Sequence, residues 1–344
     1  MFDMSSRMTR KRLQEFADML KKLQMDIGFK VSSRGWCYQL EQFGLIDKSQ
    51  FDLVNRWINR CRKEGYLPID FVAEETARKF SGVEVPTAES PISYMRTYLE
   101  AALDCKYWYT PDWWDGEEFY IQMVVEKIDL KTLFQPVCER YHIPIATSKG
   151  WASILQRAEY ARRFKEAEER GLKCVLLYAG DHDPDGLRIS EFIRKNLEDL
   201  RYIEWEDGME GYDPEYLIID RFGLNYDFIV KNKLTWIENL ITGSGKDLAS
   251  PTHKNHYMPY VQEYLRKYGA RKCEANALVV RPKEARELCR SAIEAYLGTD
   301  ALSRFREKRN KIFQEVESFH ERTGLKKAIK TAIEIIDEEE PGDE

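Results

Sequence analysis

The 344-residue sequence has no apolar run approaching the length of a membrane span, and no charged-then-apolar leader opens it. Neither a membrane protein nor an exported one is expected on that ground. It also lacks any C-x-x-C pair: its seven cysteines, at positions 37, 61, 105, 138, 174, 273 and 289, are scattered through helical and strand-like patterns. That spacing excludes a zinc site and a disulfide framework, and predicts reduced thiols in a cytoplasmic setting. No internal repeat or low-complexity stretch interrupts the chain before its last residues. A true phosphate loop is missing as well. Gly243-Ser244-Gly245-Lys246 comes nearest, but Leu240 stands where the motif requires Gly and Asp247 where it requires Ser or Thr. No nucleotide-hydrolysis site is therefore expected.

What is present is a folded globular composition, 43% hydrophobic and 12% aromatic, long enough for two domains with cores of their own. The net charge of −6 argues at first against an anionic partner. Its origin reverses that reading. Glu334, Asp337, Glu338, Glu339, Glu340, Asp343 and Glu344 crowd the last eleven residues without a base among them, and they account for the whole excess. Residues 1–66 are basic, with thirteen Lys and Arg against eight Asp and Glu. The terminal run, 334–344, reads as a disordered acidic tail, and the basic end is where double-stranded DNA would make contact.

Residues 5–28 have the period of an amphipathic helix, with Leu13, Phe16, Leu20 and Leu23 on one face. A short helix follows from Ser33 to Phe43, then the turn Gly44-Leu45-Ile46-Asp47, then a helix from Lys48 to Glu64. In the last of these Phe51, Val54, Ile58 and Cys61 face inward, and Gly65 stops it. Leu67 to Val72 has strand character. Helix, turn, helix and strand predict a winged helix-turn-helix over residues 1–80. The outer face of the third helix carries Asn55, Arg56, Asn59, Arg60, Arg62 and Lys63, side chains that suit phosphates and base edges. A plain solvated basic face is the competing reading. Residues 81–116, with Tyr107, Trp108, Tyr109, Trp113 and Trp114, read as a packed linker. From 117 to about 223, strands at 119–125, 143–146, 173–179 and 216–220 alternate with helices at 130–141, 150–169 and 186–197. That order predicts a largely parallel sheet. The rest is expected to be mainly helical.

The chemistry concentrates in Gly180-Asp181-His182-Asp183-Pro184-Asp185-Gly186, directly after the apolar strand Cys174 to Ala179. A second strand, Phe119 to Val125, ends at Glu126 in the same manner. Acids on strand tips of an α/β domain lie where such folds place their sites, and like charges at this density require a cation. Hard carboxylate oxygens select Mg²⁺, with Mn²⁺ as an alternative. The candidate ligands are Glu126, Asp181, Asp183 and Asp185, although Asp185 is also placed to cap the following helix. A calcium-binding EF-hand is excluded: Phe192 falls where its closing Glu belongs, and the run follows a strand instead of a helix.

A Glu ending one strand and D-x-D ending a later one is the signature of the Toprim domain. Val125-Glu126-Lys127, Ser148-Lys149-Gly150 and the D-x-D-P-x-G element resemble the A subunit of topoisomerase VI and its meiotic relative, the double-strand-break transesterase. Arg221-Phe222-Gly223-Leu224 and Lys272-Cys273-Glu274-Ala275-Asn276-Ala277-Leu278 look like that family's later landmarks, so the resemblance spans roughly Ser32 to Leu278. It implies a winged helix joined to a Toprim domain at 117–281, with C-terminal helices at 282–333. It also implies a tyrosine nucleophile preceded by Arg at four residues, a spacing matched by Arg34 and Tyr38. Such a pair shares one helix face, so the guanidinium could hold a phosphate beside the phenol. Cys37 stands where the family usually has a second tyrosine. Further implications are a homodimer, a 5′-phosphotyrosyl intermediate, an ATPase B-type partner in trans, and a nucleoid-associated location. Glu126 would act as ligand or as general acid/base, and Lys149 would join Arg56, Arg60, Arg62 and Lys63 on the DNA. Two other readings stay open: a hydrolytic Toprim nuclease with water as nucleophile, and a non-catalytic winged-helix DNA-binding regulator.

Overall fold

The computed structural model describes residues 8–73, 86–148, 153–241 and 245–339. Helices α1 (Arg10–Ile27), α2 (Ser33–Gln42) and α3 (Phe51–Lys63) come first, followed by α4 (Pro91–Leu103) and α5 (Cys105–Trp108). Strands and helices then alternate: β1 (Phe119–Val125), α6 (Ile128–Arg140), β2 (Ile145–Thr147), α7 (Ile154–Glu169), β3 (Lys173–Ala179), α8 (Ile189–Glu198) and β4 (Ile218–Gly223). Helices α9 (Tyr226–Lys231), α10 (Pro259–Tyr268), α11 (Pro282–Leu297), α12 (Ala301–Thr323) and α13 (Leu325–Glu339) complete a mixed α/β chain. It forms two compact units, Met1–Glu74 with Glu117–Tyr296, and Glu75–Gly116 with Leu297–Glu344. No helix among the described residues is long and apolar enough to cross a membrane.

The first unit is built on a four-stranded parallel sheet in the order β2-β1-β3-β4. Its central strands are apolar on both faces because helices cover both. On β1, Gln122 donates to the carbonyl of Tyr160 in α7 at 3.0 Å, while the next residue, Met123, meets Cys138 of α6 on the other side at 3.6 Å. Chain order reverses between β1 and β3, since the crossover through α6 runs outward to β2 and that through α7 returns past β1. This is the point at which open α/β sheets leave a crevice.

Helix α1 buries Leu13, Phe16 and Leu20 of its predicted face, with Leu23 half-buried, and α3 buries the whole of its own. Phe51, Val54, Ile58 and Cys61 are all inside, joined by Trp57, whose indole meets Phe16 edge-on at 5.5 Å. Leu67 to Val72, expected as a strand, is instead a turn in which Phe71 N–H bonds to the Pro68 carbonyl at 3.0 Å. Pro68 has no N–H for a ladder, and Leu67, Phe71 and Val72 are held by burial. A single parallel bridge, Ser32 to Ala73, is the only β pairing of this segment among the described residues.

Helix α2 is fastened to the sheet unit by a buried carboxylate. Asp129, in the first turn of α6, accepts from the Ser32 amide at 3.2 Å and lies 3.5 Å from the Ser32 hydroxyl, while that hydroxyl caps α2 through the Gly35 amide at 3.0 Å. Gly35 permits the approach: a Cβ there would overlap an Asp129 oxygen and lie 2.6 Å from Asp129 Cγ and from a Val31 methyl.

In the second unit, the stretch expected as a linker contains α4 and α5 from residue 91 onward. Arg96 of α4 pairs with Asp337 of α13 at 2.6 Å, Tyr107 meets Phe313 of α12 edge-on at 5.2 Å, and Trp113 lies 4.5 Å from Phe305. Of the aromatics at 107–114, Trp113 is buried against Phe305, whereas Tyr107, Trp108 and Tyr109 stay more than half exposed. The expected acidic tail is helical up to Glu339, because Ile336 continues the inward face of Ile329 and Ile333 among the acids; residues 340–344 lie outside the described residues.

Gly35→Ala tests the seat of α2. Helix propensity alone would favour Ala by up to about 1 kcal/mol, so overlap with Asp129 decides the sign. A net loss of roughly 1–3 kcal/mol is expected from overpacking, read from urea unfolding midpoints at constant slope.

Candidate functional site

Strand register brings the acids together. Val125 of β1 pairs with Ala179 of β3, so the residues just beyond them leave the sheet side by side, with Glu126 N–H bonded to the Ala179 carbonyl at 2.9 Å. Glu126 Oε2 in turn accepts from the Asp181 amide at 2.7 Å. Asp181 Oδ1 accepts from the Ala275 amide at 2.7 Å, which ties the acid loop to the 272–278 segment. Reciprocal backbone bonds between His182 and Cys273, at 2.8 and 3.1 Å, close the same junction.

Both glycines of the loop are sterically required. A Cβ at Gly186 would overlap the Asp181 carbonyl oxygen, and one at Gly180 would come within 2.5 Å of the Tyr178 ring. Arg221 of β4 locks the turn from beneath, donating to the carbonyls of Gly186 at 2.9 Å, Asp181 at 2.8 Å and Leu224 at 2.9 Å. A partly buried guanidinium with five fixed donors suits this many-armed task, which a lysine could not perform.

Not all four predicted ligands converge. Asp183 is spent on the turn, its Oδ1 accepting from the Gly186 amide at 2.6 Å. Asp185 is exposed and takes the Tyr260 hydroxyl at 3.0 Å; it makes no side-chain cap to the 3₁₀ turn Gly186–Arg188 that precedes α8. The capping expected of Asp185 therefore falls to Asp183. Glu126 and Asp181 do meet, and the cation between them is Lys127, in contact with Glu126 Oε1 and 3.3 Å from Asp181 Oδ2. The Lys127 side chain is only 29% exposed. Among the described residues no group of three or more His, Cys, Asp or Glu is arranged to hold a metal.

Electrostatics follow from this geometry. Burial first, then repulsion from Glu126, pushes Asp181 well above the ordinary carboxylate range. Burial, then Asp181, pushes Asp183 up to about 6. Burial alone would lower the Lys127 ammonium, but Asp181 and Glu126 outweigh it and raise it. His182 is pushed down to about 4 by burial and by Arg221, so it is neutral near pH 7 and offers no proton there.

Arg34 and Tyr38 share a face of α2 as their spacing predicts. The guanidinium carbon lies 5.9 Å from the Tyr38 ring centroid and 5.5 Å from that of Phe51, and the Tyr38 hydroxyl is the first cause of a raised Arg34 pKa. Cys37 points the other way, into the core, toward the carbonyls of Ser33 and Phe51 at 3.5 Å. Burial pushes its thiol up to about 12, which leaves it inert.

Glu274 connects the two clusters within this unit. Its buried carboxylate pairs with Lys48, beside α3, at 3.0 Å and with Lys272 at 3.5 Å, one residue from the amide that Asp181 holds. Attraction to those lysines overcomes burial and lowers its pKa. Sequence reasoning assigned roles to neither Lys127, Arg221, Lys48 nor Glu274. The segments 125–127, 221–224 and 272–278, noted for their resemblance, contain Lys127, Arg221 and Glu274 but gave them no task.

On α3, Arg56, Arg60 and Lys63 are exposed and Arg62 partly so. Arg60 pairs with Glu64 within one turn, while Arg62 donates to the Ile69 carbonyl at 2.7 Å. Lys149, and Gly243 and Ser244 of the rejected phosphate loop, lie outside the described residues. Protein-family models, curated proteins and solved structures all yield no match to this chain.

Arg221→Ala should strand several buried carbonyls at once, each costing about 1–3 kcal/mol when unsatisfied. The expected result is a lowered melting temperature and faster amide hydrogen exchange across Asp181–Gly186, with Arg221→Lys rescuing little of either.

Proposed function

We propose that this chain is a topoisomerase VI A-like DNA-cleaving transesterase, in which the N-terminal helical segment carrying Tyr38 works with a Toprim-type acid centre. The observation that carries this reading is the convergence of Glu126 and Asp181 at the carboxyl edge of a parallel sheet, in the same compact unit as the Arg34–Tyr38 pair. The inert, inward-facing Cys37 supports Tyr38 as the available nucleophile of α2.

The donor chemistry suits Mg²⁺ or Mn²⁺. Glu126 and Asp181 are close, hard, mutually repelling carboxylates, and Asp183, two residues on, would complete the set by giving up its turn bond to Gly186. Bound there, the ion would supply charge stabilisation for a phosphoryl group. The protein's own part is positioning. Arg34 would hold a DNA phosphate beside Tyr38 on the shared helix face. The Tyr38 hydroxyl oxygen would bond to phosphorus as the P–O3′ bond breaks, and the freed O3′ would take up the proton, leaving a 5′-phosphotyrosyl linkage. Glu126 would relay that proton once its Oε1 is released from Lys127. A homodimer pairing the tyrosine of one copy with the acids of another, and an ATPase partner in trans, belong to the same proposal. DNA would lie along the exposed basic residues of α3.

Two measurements test this. End-labelled duplex DNA incubated with Mg²⁺ and quenched in detergent should transfer label to wild-type protein and not to Tyr38→Phe, with DNA affinity retained. Undiminished cutting by Tyr38→Phe would leave a hydrolytic nuclease in place of the transesterase. Replacing Arg56, Arg60 and Lys63 together with Ala should flatten the log–log salt dependence of DNA binding by about one unit per lost phosphate contact. Because Arg60 already pairs with Glu64, a change nearer two units than three is expected.

A further inference from the structure

The two converging carboxylates divide their oxygens in a particular way. Glu126 Oε2 is taken by the Asp181 amide and Asp181 Oδ1 by the Ala275 amide. The remaining two, Glu126 Oε1 and Asp181 Oδ2, are the oxygens that the Lys127 ammonium touches. A divalent ion bridging these carboxylates through the two oxygens that carry no amide bond would compete with Lys127 for them. The lysine backbone is fixed at the residue preceding α6, with extended φ −119° and ψ 151°. Its four-carbon stem is flexible and part of it reaches solvent, so the ammonium can leave without moving the strand.

We propose that Lys127 is a positioning residue that acts as a resident cation: its ammonium holds Glu126 and Asp181 together, and a divalent ion enters this centre by exchange with it. Without the lysine, two partly buried like charges would sit against each other with only amide dipoles to offset them, an arrangement costly in a low-dielectric site. With it, the carboxylates are already converged before the ion arrives. Ion entry then costs the displacement of one ammonium instead of the gathering of two repelling acids. The second half of the proposal rests on the reading of Glu126 and Asp181 as ion ligands; the first half does not.

Lys127→Met keeps the stem and removes the charge. Folding of each variant is checked by circular dichroism, and binding is measured by calorimetry with MnCl₂ alone, without DNA. Removal of a competing unit charge a few ångströms from the ion should tighten Mn²⁺ binding about tenfold or more. In EDTA the same variant should melt at a lower temperature than wild type, and added Mn²⁺ should restore it. The double variant Lys127→Met/Glu126→Gln, which removes the repulsion, should regain the lost stability in EDTA. Equal or weaker Mn²⁺ binding by folded Lys127→Met overturns the exchange while leaving the ion site standing. Absence of Mn²⁺ binding in both wild type and Lys127→Met overturns the ion site itself, and the EDTA melts then still decide whether Lys127 holds the acids together. An unchanged melt in EDTA overturns that role.

Discussion

The register of β1 against β3 is the constraint on which the rest of the candidate site depends. Because Val125 and Ala179 pair in a parallel ladder, the chain segments that follow emerge at one height from neighbouring strands, and an acid from each is delivered to the same place. A slip of one residue would turn Glu126 toward the opposite face of the sheet. Such a slip is opposed by the apolar residues of both strands, nearly all fully buried. The hydrophobic core thus enforces a geometry that electrostatics alone would resist.

Around that enforced meeting the structure spends several devices on containment. Lys127 supplies the countercharge, two backbone amides take one oxygen of each acid, and Arg221 binds the carbonyls of the turn. None of these could act alone. The amides are placed by the bridge between His182 and Cys273, and the lysine by the start of α6, whose Asp129 also seats α2. The acid loop and the helix bearing Arg34 and Tyr38 therefore share supports. Under the proposed function, this sharing gives one unit both a nucleophile and a charged centre whose relative placement depends on Glu274 and Asp129.

Much of this was legible in the chain. The inward face of α3, the order of strands and helices through the middle, and the acids at the strand tips all followed from local period and turn chemistry. The expected strand at 67–72 was not found because Pro68 and the tight turn around it outweigh the β propensity of the flanking apolar residues. The stretch read as a linker holds α4 and α5, whose partners lie far away in sequence, such as Asp337 for Arg96 and Phe313 for Tyr107. The acidic tail, read from charge alone, carries Ile336, which continues the helical face of Ile329 and Ile333 and which composition does not weigh.

The sequence by itself determined which residue types could do chemistry and on which element each would sit, because helix and strand periods are local properties of a few neighbouring residues. It placed Glu126 and Asp181 at strand ends, and Arg34 and Tyr38 one turn apart. Which strand lies beside which, and in what register, depends on pairing between segments some fifty residues apart, with no local signal to specify it. Tertiary structure alone decided that Asp185 turns away to Tyr260 and that Asp183 closes the turn. It also decided that Lys127, whose flexible stem leaves its ammonium free of any local pattern, comes to rest between the two acids that most need a cation.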